Sequence, residues 1–180
     1  MKKFVVISVL ILILASNFVF GEDKPWEKDF RGVPFGASEK EARQKIPNLD
    51  CSNSEKLGRV CHDMNFYIGN VKTFNAMSFK NDKMVTVFLS FKSENYDFIK
   101  GVFIKKYGLP TDTKNMTVKT MAGVEYENEI LEWEGNKIIL RLRKFGGKID
   151  QGNAYFGDLS YMKGKIKEGE EKKKKAVTDF

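Results

Sequence analysis

The sequence predicts an α+β domain in which an antiparallel sheet of about five to six strands carries two helices on one face. Three observations point there. Alternating apolar segments meet at two-residue turn signals, Asn81-Asp82 and Gly135-Asn136, the mark of antiparallel hairpins. Segments 38–49 and 95–107 place apolar residues at helical spacing. The order helix, three strands, helix, two or three strands suggests a duplicated αβββ unit with both helices over the sheet.

The chain opens with Lys2 and Lys3, an apolar run from Phe4 to Ala15 and the small residue Gly21. This is the pattern of a secretory signal peptide over residues 1–21. The run is shorter than the roughly 20 apolar residues that span a bilayer, although Phe18 to Phe20 prolong it, and retention as an anchor is the alternative. The reading places the mature protein in the periplasm or outside the cell, as a single domain over residues 22–162. Residues 22–29 are polar and irregular. Ser38 and Glu41 form a capping box that starts the first helix. Ala42, Ile46 and Leu49 give that helix its buried stripe, and Pro47 ends it.

Cys51 and Cys61 are the two cysteines of the chain. In an oxidising compartment they read as a disulfide closing a short polar loop, with a gain of roughly 2–3 kcal/mol. A redox or metal pair is the rival reading, but only His62 offers a nearby further ligand. Strands are expected over Cys61 to Ile68, Val71 to Lys80 and Lys83 to Lys92. The second helix starts near Asn95, buries Phe98, Ile99, Val102, Phe103 and Tyr107, and stops at Gly108 before Pro110. Residues 111–124 are polar, with room for a short edge strand. Glu127 to Glu134 and Lys137 to Arg143 form a hairpin that sets Trp133 opposite Ile138 and Leu131 opposite Leu140. Tyr155 to Met162 is the last strand. Residues 163–180 lose all apolar pattern and read as a Lys/Glu-rich disordered tail.

The formal charge is +7. Two positive charges fall in residues 1–21 and a net three in residues 163–180, so the body keeps about +2 and presents no broad basic field. Nucleic acid is not an expected partner of an exported, nearly neutral body, and no cofactor motif is present. His62 is the one histidine, and a disulfide would remove its neighbour Cys61 as a nucleophile. Glu132 and Glu134 lie beside Arg141 and Arg143, as on a solvated, charge-paired sheet face. Phosphate loops, nucleophile elbows and zinc-binding HExxH are lacking. The expectation is a non-enzymatic protein, with a small hydrolase as the remote alternative.

Two features suggest binding instead. If Asn81-Asp82 is a two-residue loop, Phe74, Ala76, Val85, Val87, Leu89 and Phe91 share a face under the helices. Met77, Phe79, Met84, Thr86 and Phe88 then share the open face, and Met77, Phe79, Met84 and Phe88 form a patch suited to an envelope protein partner. Burial under a loop, the N-terminal segment or the second subunit of a dimer is the alternative, and a register shift of one residue would redistribute these side chains. The second feature is Lys172, Lys173, Lys174 and Lys175, with Lys163, Lys165 and Lys167, which suit anionic lipid or wall polymer. Asn115-Met-Thr117 fits a glycosylation acceptor, a pattern frequent by chance.

The stretch Phe30-Arg-Gly-Val-Pro-Phe-Gly-Ala-Ser-Glu-Lys-Glu-Ala42 resembles the opening of small exported bacterial proteins of unassigned role, in which Gly-x-x-(Phe/Trp)-Gly-x-Ser caps a first helix. The paired cysteines, Lys106-Tyr-Gly-Leu-Pro110 and Trp133 fit the same resemblance. The general plan also resembles the SmpA-type outer-membrane assembly lipoprotein and the β-lactamase-inhibitor protein. Those likenesses imply a non-catalytic role in binding partners through sheet surfaces. The lipidated cysteine of the SmpA type has no counterpart here.

Overall fold

The structure, a computed structural model, describes residues 29–55, 57–165 and 167–168. The signal-peptide reading and Lys172, Lys173, Lys174 and Lys175 lie outside the described residues. A short ribbon, β1 (Asp29–Phe30) and β2 (Val33–Pro34), leads into α1 (Glu39–Lys45), then β3 (Leu49–Ser54) and β4 (Gly58–Asp63). A second ribbon follows, β5 (Tyr67–Ile68) and β6 (Val71–Lys72), and then β7 (Phe74–Lys80) and β8 (Lys83–Lys92). A 3-10 turn runs into α2 (Tyr96–Tyr107), and β9 (Asp112–Lys119), β10 (Glu125–Glu134), β11 (Ile138–Lys148) and β12 (Gln151–Asp158) complete the order.

The expected α+β plan is corrected: the fold is mostly β. Eight strands form one antiparallel sheet in the order β3-β4-β7-β8-β12-β11-β10-β9, beside the two ribbons. Eight strands about 4.8 Å apart make a sheet roughly 34 Å wide. Two helices each about 10 Å across cannot cover it. The second layer is therefore shared. Phe30 and Val33 of the first ribbon, Phe66 and Ile68 beside the second, and Ala42, Ile99 and Phe103 of the helices all close over the inner face.

β3 is unforeseen and β9 fills the 111–124 segment that had room for a short edge strand; the two are the edges of the sheet. β3 reads Leu-Asp-Cys-Ser-Asn-Ser, and β9 is exposed along nearly its whole length, so neither carries an alternating apolar pattern. Each helix is followed by four sheet strands, not three, and the two sets of four meet between β8 and β12. The expected strand from Cys61 to Ile68 breaks at Asp63, where the chain leaves the sheet for the second ribbon. The expected last strand stops at Asp158, whose Oδ1 accepts the Tyr161 N–H at 2.9 Å and starts a helical segment over residues 159–165.

Several local readings hold. Ser38 and Glu41 form the capping box, and Asn81 and Asp82 both take positive φ, 50° and 55°, as a type I′ hairpin requires. Trp133, 1% exposed, donates from Nε1 to the Gly108 carbonyl at 2.9 Å and so ties the end of α2 to β10. Glu129 of β10 anchors the start of the same helix through Tyr96 Oη at 2.9 Å and Lys100 Nζ at 2.7 Å.

Candidate functional site

The hairpin of β7 and β8 decides which side chains face out. Phe79 lies opposite Met84, but Ser78 lies opposite Thr86 and Met77 opposite Val87. Val85 is the extra residue of a β-bulge. Side chains alternate between faces along a strand, so one inserted residue exchanges the faces of everything beyond it. Met77, Phe79 and Met84 join Val87, Leu89 and Phe91 in the core, at 0%, 2% and 0% exposure. Those three leave the expected partner surface, and of the four residues proposed for it only Phe88 remains on the outer face.

The bulge also has a structural use. It leaves the Met84 backbone free to pair outside the β7 ladder. Met84 N–H donates to the Ala37 carbonyl and Gly36 N–H donates to the Met84 carbonyl, each at 2.8 Å. These bonds hold the Phe35-Gly36-Ala37-Ser38 segment and set the entry of α1. Gly36 adopts φ 89°, a conformation that favours glycine.

Around Phe88 the outer face forms a pocket of about 240 Å³, lined by Phe88, Arg141, Arg143, Asn153, Tyr155 and Met162. The register builds it. Tyr155 lies opposite Phe88 and also opposite Arg141, while Asn153 lies opposite Arg143. Met162 arrives from the helical segment after β12, where its sulfur meets Tyr155 Oη at 3.1 Å. Gly157 makes this approach possible, because a Cβ there would come within 2.9 Å of the Met162 side chain and 2.8 Å of the Tyr155 ring.

The two arginines differ sharply. Arg141 lies opposite Glu132 and is bonded to it, Nε to Oε2 at 2.7 Å and an Nη at 2.6 Å. Arg143 lies opposite Ile130. Its Nε is buried and, among the described residues, has no hydrogen-bond partner. Burial lowers its pKa from the ordinary arginine value, and the neighbouring Arg141 charge acts in the same direction. The guanidinium remains charged at neutral pH. An unsatisfied buried donor on a charged group is unfavourable by roughly 1–3 kcal/mol or more. The pocket therefore combines a cationic side chain with an unsatisfied donor and the rings of Phe88 and Tyr155. Burial raises the Tyr155 pKa, so its hydroxyl stays neutral.

Sequence reasoning grouped both arginines with Glu132 and Glu134. The two-residue turn falls on residues 136–137, one position later than Gly135-Asn136, so each partner shifts by two: Trp133 faces Leu140 and Leu131 faces Leu142. A shift of two preserves the faces but changes the partners, and Glu134 falls opposite Ile139. The detectable signal was the Arg-x-Arg alternation at 141 and 143 beside a strand with an apolar residue at 130.

Cys51 and Cys61 are directly paired across β3 and β4 and form a disulfide, with S–S 2.04 Å. This is consistent with an oxidising, extracytoplasmic location. Among the described residues the group of three potential ligand atoms is Glu39, Cys51 and Cys61. Both sulfurs are spent in the bridge, and Glu39 is bonded to Arg59 and Arg43. His62 Nδ1 is 2.9 Å from the Asn75 carbonyl oxygen, and its ring lies 5.1 Å from that of Phe74. Asn115 and Thr117 are exposed on the edge strand β9.

No family model matches the chain, and no curated protein matches it. Among solved structures it is similar to a cysteine-rich secretory protein from Staphylococcus aureus, with 13% identity and a TM-score of 0.41. The match covers 78% of this chain and 48% of that one, so this chain spans about half the length of its neighbour. At that distance the likeness assigns neither fold nor role.

Proposed function

We propose that this chain is an exported, non-catalytic binding module that docks an envelope protein by taking an acidic side chain of that partner into the Arg143 pocket. The carrying observation is the buried Arg143 Nε, without a hydrogen-bond partner among the described residues, in a pocket that Phe88 and Tyr155 also line. A carboxylate satisfies that donor with a charge-assisted bond, and the aromatic walls suit the apolar flank of a peptide. The disulfide and the basic, apolar N-terminal segment support delivery to the periplasm or beyond. The non-catalytic reading is supported by the chemistry of the groups: the thiols are bridged, His62 is held by backbone and Phe74, and the outer-face acid Glu132 is bonded to Arg141.

The test is calorimetric titration of the full chain with an acetylated hexaglutamate peptide and its hexaglutamine counterpart. Restoring one charged hydrogen bond is worth about 1.5–3 kcal/mol, roughly ten- to a hundredfold in affinity. Arg143→Met should weaken the hexaglutamate complex by that factor, and hexaglutamine should not bind. Equal affinity of the wild type and Arg143→Met would refute the pocket. It would transfer the binding to charges elsewhere, such as the lysine tail.

A further inference from the structure

A second cavity lies on the opposite face of the sheet. It measures about 200 Å³ and sits between the β1–β2 ribbon, the second ribbon and α2, with Leu89 and Phe156 of the sheet as its floor. Aromatic rings dominate its walls. Phe30 is 5.7 Å from Phe66 and 5.6 Å from Phe156, and Phe103 is 6.2 Å from Phe156, centroid to centroid. The cavity is below the ~300–1,000 Å³ of sites for drug-sized ligands and above the ~150 Å³ that admits a benzene ring. Its natural occupant has about one ring and a short side chain.

Charge selects the rest of the ligand. Arg31 and Lys106 line the cavity. Arg31 is already bonded to the carboxylate of Asp63 and lies 5.2 Å over the Phe66 ring. Asp29, the nearby acid of the ribbon, accepts the Gly32 N–H at 2.8 Å. Lys106 has its Nζ 5.1 Å over the Tyr107 ring and no carboxylate partner among the described residues, so a cation remains beside the apolar space. We infer that this cavity binds a small arylalkyl carboxylate, with the ring among Phe30, Phe66, Phe103 and Phe156 and the carboxylate on Lys106. The site is separate from the Arg143 pocket, and its ligand is a free small molecule, not a protein segment.

The probe is 3-phenylpropionate, followed by amide chemical-shift titration of the full chain, with 3-phenylpropanol as the neutral counterpart. The acid should bind, with the largest shifts at Gly69, Val102 and Phe103. The alcohol and the Lys106→Met variant should each bind at least tenfold more weakly. Val102→Trp, which fills the cavity from α2, should abolish binding while far-ultraviolet circular dichroism stays unchanged. Arg143→Met should bind as the wild type does, which separates this site from the outer-face pocket. Equal affinity for acid and alcohol would overturn the assignment. So would wild-type affinity in Lys106→Met, or absence of binding by the acid.

Discussion

Replacing Phe79 and Phe88 one at a time by alanine tests whether the bulge at Val85 sets the faces of the sheet. Phe79 is 2% exposed and belongs to the core. A Phe-to-Ala change in such a place destabilises by about 3–5 kcal/mol, because a cavity remains after the ring is lost. Phe88 is half-buried on the outer face. It forfeits only part of the ~1.5–3 kcal/mol of a fully buried side chain, hence about 1 kcal/mol. The two variants should therefore differ by about 2–4 kcal/mol. Equilibrium urea unfolding, read from the fluorescence of the buried Trp133, resolves this. With a slope of roughly 1–3 kcal/mol per molar urea, Phe79→Ala should lower the midpoint by about a molar or more and Phe88→Ala by about a third to a quarter as much. Equal shifts, or a larger one for Phe88→Ala, would refute the register.

Three further outcomes follow from named contacts. Replacing both Cys51 and Cys61 with alanine should lower stability by about 2–3 kcal/mol, because the bridge closes a short loop in the unfolded chain, and dithiothreitol should mimic the change in the wild type. Arg59 and then Arg43 hold the Glu39 pKa down, from an ordinary 4.5 to about 2, against an opposing effect of burial. A carboxylate depressed on folding stabilises at pH above 4.5 and loses that contribution as the pH falls to about 2. Its arginine partners are partly solvated, so the loss should be about 1 kcal/mol, and Glu39→Gln should flatten the stability profile between these pH values. Lys100→Met should destabilise by about 1–2 kcal/mol in thermal unfolding, because it removes the ammonium that faces the partly buried Glu129.

Local chemistry was legible in the chain where one residue type is nearly forced. Asn81-Asp82, the Ser38–Glu41 cap, the end of α2 at Gly108 and the cysteine pair all depend on neighbours within about ten positions. Features set by pairing across the sheet were not. A bulge residue such as Val85 has no composition of its own, and it moved Met77, Phe79 and Met84 into the core and left Ala76 and Ser78 on the outer face beside Thr86 and Phe88. β3 was invisible, and β9 was legible only as room for an edge strand, because an edge strand needs no apolar stripe. The hairpin of β10 and β11 kept its faces yet changed its partners by two residues, which left Arg143 opposite Ile130. One element of the proposed surface, Phe88, could be read from alternation. The unsatisfied guanidinium beside it required the register.

The most direct measurement is the side-chain Nε–H resonance of Arg143 during titration with the hexaglutamate peptide. Binding in the pocket should give a saturable downfield shift of this proton and slowed exchange with solvent, absent with hexaglutamine. A resonance that stays unchanged while the peptide binds would contradict it.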